Sequence, residues 1–240
     1  MLRVEGLEKR YGERTVVRGV SFTVSPGEVV AFLGPNGAGK TTTLRMIAGY
    51  LEPDAGSAQI AGLDAHGQRR QAQAKLGFLP EGAPAWPDMT PRGFLAFHGQ
   101  ARGFKGEALK QRIDRAAGQV GLGEALDQPI ETLSKGFKRR TGLASAVLHE
   151  PEALILDEPT DGLDPNQKDG VRALIRSLRE NTAILISTHL LDEVQAMCDR
   201  AIVIHQGEIV ADATPPALAA RAASGRLEDA FRDLTRGEAA

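Results

Sequence analysis

Apolar and polar residues alternate through much of Leu2 to Val24, with turn residues at Tyr11-Gly12 and Pro26-Gly27. A two-residue period puts every second side chain on one face, so this stretch predicts short antiparallel strands. The pattern then changes to brief, nearly unbroken apolar runs at Val29 to Leu33, Leu154 to Asp157, Ala183 to Ser187 and Ala201 to Ile204. Such runs suit strands covered on both faces, and the helical stretches between them predict a mostly parallel sheet layered by helices. Between Glu81 and Leu133 the runs stop. There Leu109, Ile113, Ala116 and Val120 recur at spacings of four, three and four, one face of a helix, so an all-helical lobe is expected to interrupt the α/β core. The loop leading into it, Ala83-Pro84-Ala85-Trp86-Pro87-Asp88-Met89-Thr90-Pro91, is punctuated by prolines, and Thr90-Pro91 reads as an N-cap followed by a first-turn proline. Two more helices are expected at Pro216 to Ala223 and around Leu227 to Leu234.

These elements predict one domain over residues 1–240. Its α/β core spans 1–80 and 137–212, the helical lobe 81–136, and a short helical extension 213–240. No internal repeat is present.

Gly34-Pro35-Asn36-Gly37-Ala38-Gly39-Lys40-Thr41 fits G-x-x-x-x-G-K-[ST] and lies between the strand at Val29 to Leu33 and a helix expected over Thr42 to Leu51. Glycines let successive backbone amides turn inward around phosphates, and the helix aims its positive end at the same charge. Lys40 is expected to reach the β- and γ-phosphates, and the Thr41 hydroxyl to offer Mg²⁺ an oxygen. The fold class is therefore an α/β, P-loop NTPase core with a mostly parallel sheet, an N-terminal antiparallel β subdomain and an inserted all-helical lobe. The expected ligands are ATP and Mg²⁺.

Ala153 to Asp157 is a second apolar strand, ending in the carboxylates Asp157 and Glu158, and it is expected beside the nucleotide strand. Asp157 would face Mg²⁺ opposite Thr41, while Glu158, diverging from it, would point to the water that attacks the γ-phosphorus. Leu133-Ser134-Lys135-Gly136-Phe137 starts a helix expected to run to about Leu148, with Ser134 as N-cap. Lys135 and the basic run Lys138-Arg139-Arg140 on it are expected to face solvent. Asp161-Gly162-Leu163-Asp164-Pro165 follows the carboxylates, and Ile186-Ser187-Thr188-His189 puts an imidazole at the end of another strand.

In this order, Gly34 to Thr41, Leu133 to Phe137, Leu154 to Glu158, Asp161 to Asp164 and His189 resemble the ATP-binding subunits of ABC transporters over essentially the whole chain. The resemblance implies a head-to-tail homodimer or pseudo-dimer. ATP on the phosphate loop of one copy, Thr42 included, is closed over by Ser134 and Gly136 of the other. It further implies that Tyr11 stacks on adenine, that Asp164 communicates across the dimer, and that His189 contacts the γ-phosphate and orders Glu158. Where the family usually has glutamine this chain has Glu81, expected to touch Mg²⁺ or the attacking water, and its signature reads Leu-Ser-Lys-Gly-Phe rather than Leu-Ser-Gly-Gly-Gln. With Leu79-Pro80-Glu81, Trp86 to Thr90 and the tail Leu227 to Phe231, these departures are similar to the type-2 exporter group, the gliding-motility and nitrous-oxide-reductase-maturation branch. The implied partners are membrane-spanning permease subunits, met through Trp86, Met89, Phe94 and Phe97, although these four also suit the lobe's interior.

Composition narrows the alternatives. At 42% hydrophobic and 25% charged residues the chain has the make-up of a globular protein, and a net charge of −2 gives no general nucleic-acid surface. No apolar run approaches the roughly 18 residues a spanning helix needs. The start alternates apolar and charged residues rather than forming a secretion signal, and Cys198 is the sole cysteine, so no internal disulfide is expected. Location is expected to be cytoplasmic, peripheral on the cytoplasmic face of the cell membrane, without direct membrane insertion. The rival readings are an ABC-type ATPase acting on nucleic acid or ribosomes and a P-loop kinase; the first usually carries two ATPase units or a long coiled coil, and the signature argues against the second.

Overall fold

The structure is a computed structural model and describes residues 1–83 and 85–236. Pro84 of the loop leading into the lobe, and residues 237–240 of the predicted C-terminal extension, lie outside the described residues. The chain opens with β1 (Leu2–Tyr11) and β2 (Arg14–Val24), then β3 (Val29–Leu33) and α1 (Lys40–Ile47). β1 and β2 are longer than the short strands expected, because register shifts between Val4 and Arg10 absorb the breaks in alternation within one continuous pair. α1 stops short of Leu51: the amides of Tyr50 and Leu51 turn back to the Arg45 carbonyl and close the last turn.

β4 (Ala55–Ile60) and β5 (Leu63–Asp64) return to β1, and α2 (Arg69–Ala74) leads to β6 (Leu76–Leu79). The lobe follows as α3 (Pro91–Ala101), α4 (Gly106–Gln119) and the start of α5 (Lys135–Val147). Thr90 caps α3 by accepting the Gly93 amide at 3.1 Å, with Pro91 behind it. Leu109, Ile113, Ala116 and Val120 are buried, as their spacing requires. α5 begins beside the lobe and ends against β6, so one helix joins lobe to core.

The core closes with β7 (Ala153–Asp157), α6 (Pro165–Leu178), β8 (Ala183–Thr188), α7 (Leu191–Met197), β9 (Arg200–His205) and β10 (Glu208–Ala213). The extension forms α8 (Pro215–Ala219) and α9 (Leu227–Thr235). The strands make a four-stranded antiparallel sheet, β2-β1-β4-β5, and a six-stranded sheet, β10-β9-β3-β8-β7-β6, parallel except for β10. β7 is therefore not beside the nucleotide strand, as the sequence suggested; β8 lies between β3 and β7. Both β7 and β8 are buried along their whole length, so burial pattern alone could not tell which of them borders β3.

Opposite faces of the large sheet feed separate cores. Val30, Phe32, Ile155 and Leu185 pack with Leu2, Val20 and Phe22 of the antiparallel sheet. Leu154, Leu156, Ile184 and Ile186 pack with α6 and the lobe helices. The C-terminal ends of β3, β8, β7 and β6 are thus held side by side, and every candidate catalytic group sits at or just past one of those ends.

Candidate active site

The phosphate loop leaves β3 at Gly34. A Cβ there would lie 2.4 Å from the Ile204 carbonyl oxygen, so only glycine lets the loop pass β9. Gly39 takes φ 105° as the N-cap of α1 and has no side chain to satisfy the first-turn amides, which therefore stay open for an anion. Lys40 is buried and donates to the carbonyls of Gly34 at 2.6 Å and Pro35 at 3.2 Å, folded back over its own loop. Burial pulls its ammonium below the ordinary value, while Glu158, Asp157 and Glu81 pull it upward. Three carboxylates facing one lysine make a site that gains from a divalent cation.

Thr41 donates its hydroxyl to Asp157 Oδ2 at 3.2 Å, so the two oxygens predicted to flank Mg²⁺ do meet. Asp157 is 2% exposed, and burial raises its pKa. Glu158 follows in a left-handed backbone conformation, φ 52°, which swings its side chain away from Asp157. Its Oε1 lies 2.9 Å from His189 Nδ1. Burial raises the Glu158 pKa and the His189 contact opposes that rise. A desolvated carboxylate oriented by an imidazole has the character of a general base.

Two cavities border the loop. One of about 320 Å³ is lined by Val16, Gly37, Gly39 to Thr42 and Glu81; one of about 360 Å³ lies against Pro35 to Ala38 from the side of Arg14 and His205. Glu81 is exposed and faces the Lys40 and Thr41 cavity, and Tyr11, 52% exposed at the end of β1, leaves its ring free on one side of the hairpin. Ser134, Gly136 and Asp164 line neither cavity. Ser134 caps α5 through the Phe137 amide at 3.4 Å, and Asp164 caps α6 through the Gln167 amide at 2.9 Å. These three residues do not meet the nucleotide loop of their own chain.

Among the basic residues of the signature helix Lys135 stays exposed, as expected, whereas Arg139 and Arg140 depart from the solvent-facing expectation. Lys135 pairs with Asp161 at 2.9 Å, and Arg140 lies over the Phe137 ring at 4.0 Å and donates to the Gly121 carbonyl. Arg139 is only 4% exposed and donates to the carbonyls of Pro80, Asp157, Glu158 and Pro159. A charge run was the wrong reading because α5 turns one residue of the three inward, where main-chain carbonyls replace water. Sequence reasoning also missed Glu193 of α7. It is fully buried and accepts the hydroxyls of Thr160 and Thr188, the latter at 3.1 Å, bracing the segments after Glu158 and before His189. Its burial is decided by two threonines distant in sequence, so no local pattern announced it.

A third concavity, about 710 Å³, separates core from lobe and is lined in part by Arg45, Tyr50, Phe78, Trp86, Phe94 and His98. Trp86 and Phe97 are half exposed, Phe94 is buried and Met89 partly buried, so the four apolar residues divide between surface and lobe interior.

The ABC transporter family matches residues 17–161, more than half the chain and including the phosphate loop, the signature segment and both carboxylates. The chain belongs to that family, as its ATP-binding, ATP-hydrolysing subunit. It is 37% identical over 222 residues to the linearmycin resistance ATP-binding protein LnrL of Bacillus subtilis (strain 168), across 92% of this chain and 71% of that one. To the Nod factor export ATP-binding protein I of Ralstonia nicotianae it is 39% identical, across 90% of this chain and 67% of the relative. A solved ATP-binding subunit of an ABC transporter superposes with a TM-score of 0.89 at 28% identity, covering 98% of this chain and 99% of that chain. The cassette MJ0796, solved as a dimer in a post-hydrolysis state bound to ADP and Pi, shares the fold at a TM-score of 0.82 and 22% identity, across 89% of this chain and 98% of that chain.

Proposed function

We propose that this ABC ATPase works as a head-to-tail homodimer, or as a pseudo-dimer with a related subunit, that drives separate permease subunits of an exporter. The observation that carries the reading is the pairing past the C-terminal ends of the central strands of the large sheet: Thr41 with Asp157, and Glu158 with His189, beside a complete phosphate loop. Ser134, Gly136 and Asp164 support the dimer, because Ser134 and Asp164 are turned to their own helix caps and none of the three lines the cavities beside the loop of the same chain. Each copy then supplies the signature that the other lacks. The names of two relatives, for Nod factor export and linearmycin resistance, support the exporter branch.

Thr41 and Asp157 fit Mg²⁺. Among the described residues no cluster of three His, Cys, Asp or Glu forms a protein cage, but magnesium needs only one or two protein oxygens when phosphate and water complete its shell. When bound it would neutralise charge on the transferring phosphoryl group. Glu158 takes a proton from water as that water attacks. His189 holds the Glu158 carboxylate through Nδ1, leaving Nε2 for the γ-phosphate. Lys40 swings from the Gly34 carbonyl to the β- and γ-phosphates, Thr42 and the loop amides hold the rest, and Tyr11 stacks on adenine. Glu81, at the junction with the lobe, answers the state of the γ-phosphate and moves with it.

Permease docking falls on the groove between core and lobe, where Trp86, with the exposed Phe97 packed edge-on against it, offers apolar surface. Among the described residues no helix is long and apolar enough to cross a membrane, so the subunit sits peripherally on the cytoplasmic face through its permease. Glu158→Gln tests the chemistry: ATP binding is retained, hydrolysis is suppressed at least a hundredfold, and the ATP-bound dimer accumulates. Undiminished hydrolysis in that variant removes Glu158 as the base.

A further inference from the structure

We infer that Arg139 is the positioning residue that ties the signature helix to the catalytic carboxylate; the inference rests on the assignment of Glu158 as base. Arg139 lies five residues beyond Ser134 on α5, more than one helical turn in from its N-terminus. Its guanidinium donates Nε to the Pro159 carbonyl at 3.4 Å, Nη1 to the Pro80 carbonyl at 3.2 Å, and Nη2 to the carbonyls of Asp157 and Glu158. All four acceptors are main-chain oxygens. Two come from the residues proposed to handle the cation and the water, one from the residue after them, and one from the residue just before Glu81.

A planar fork of five donors suits this arrangement and an ammonium does not, because several fixed acceptors must be met at once. The placement has two consequences. First, Glu158 holds φ 52°, an unfavourable conformation for a residue with a Cβ, and a bond to its carbonyl helps to hold the peptide that sets it. Second, the side chain that grips this peptide is carried on the helix whose N-terminus presents Ser134 to the facing copy. Displacement of that helix on dimer closure is therefore passed to Glu158 and to the Pro80-Glu81 junction without an intervening side chain.

Among the described residues no acidic side chain pairs with Arg139 at salt-bridge distance, although Asp161, Asp157, Glu158 and Glu81 lie near enough to favour its charge. Its attachment is thus to backbone position, which distinguishes it from a structural ion pair. Burial of a charge among carbonyls alone is costly, and a residue kept there for packing alone could be apolar.

The test compares Arg139→Lys and Arg139→Met with the parent and with Glu158→Gln, measuring ATP affinity, kcat, KM and thermal midpoint. Expected are ATP affinity and KM within about twofold of the parent in both variants, kcat lowered at least tenfold in Arg139→Met, and partial recovery in Arg139→Lys. A second measurement bypasses turnover: ATP-driven dimerisation of Arg139→Met in the Glu158→Gln background should weaken at least fivefold. Parental kcat in Arg139→Met overturns the inference, as does a common fall of affinity, kcat and thermal midpoint, which would mark a purely structural role. Glu158→Gln separates the two ideas. Hydrolysis surviving in it defeats the base assignment; an inactive Glu158→Gln beside a fully active Arg139→Met defeats Arg139 alone.

Discussion

Glu193 offers a prediction whose size can be worked from contacts. Its carboxylate is buried and accepts the Thr160 and Thr188 hydroxyls, with Lys168 Nζ at 3.9 Å; Thr188 Oγ1 in turn accepts the Leu190 amide at 3.1 Å. A hydrogen bond to a charged group contributes about 1.5–3 kcal/mol, so removing both in Glu193→Ala is expected to cost about 3–6 kcal/mol, the cavity left behind being offset by the carboxylate desolvation that is shed. Glu193→Gln keeps the volume, can still accept one hydroxyl and sheds the desolvation of a carboxylate, so its cost is expected at about 1–2 kcal/mol. Against a typical total of about 5–15 kcal/mol, the alanine variant approaches the limit of folding and the glutamine variant does not. Urea unfolding of both variants measures the two costs. Because the chain Leu190, Thr188, Glu193, Thr160 brackets His189 and Glu158, Glu193→Gln should also lower kcat several-fold with ATP affinity unchanged. Stabilities of both variants within about 0.5 kcal/mol of the parent would refute the reasoning.

Glu158→Gln should unfold at a higher temperature than the parent near pH 8, with the gap closing in acid. The folded-state pKa of Glu158 is raised, so the carboxylate's contribution to stability is lost as pH rises from the ordinary carboxylate range through that raised value, and the amide escapes the loss; thermal melts across pH check this. In the parent, kcat should fall on acidification with its limb displaced above the ordinary carboxylate range, which a pH–rate profile reads directly. Gly34→Ala would set a methyl 2.4 Å from the Ile204 carbonyl oxygen, displacing the phosphate loop, and ATP affinity by titration should drop at least tenfold while secondary structure by circular dichroism is kept. Trp86→Ala should leave the isolated subunit's ATPase unchanged and weaken co-purification with the permease.

The sequence made the architecture readable where one local period or one motif determined it. Val29 to Leu33 followed by the glycine loop could only be a buried strand feeding a helix start, and α4 was visible in four apolar positions. β4 was not, since Ala55-Gly56-Ser57-Ala58 has little strand propensity and pairs only because β1 offers an open edge. Strand order was also hidden: β7 and β8 are equally buried, and only the assembled crossovers put β8 next to β3. Of the candidate site, Lys40, Thr41, Asp157, Glu158 and His189 were legible because their chemistry is tied to motif spacing. Arg139 and Glu193 were not. Each owes its position to partners on other elements, carbonyls in one case and threonine hydroxyls in the other, and a charged letter in a helix gives no sign of them.

The account rests on ATP being enclosed between two copies, with the signature of one facing the phosphate loop of the other. The most direct measurement is the structure of Glu158→Gln with ATP and Mg²⁺, preceded by sedimentation to establish the assembly. The account predicts a nucleotide-dependent dimer in which the Ser134 hydroxyl and the Gly136 amide lie within hydrogen-bonding distance of the γ-phosphate held by the facing copy's Lys40. A monomer with ATP fully bound, or a dimer with Ser134 turned away from that phosphate, would contradict it.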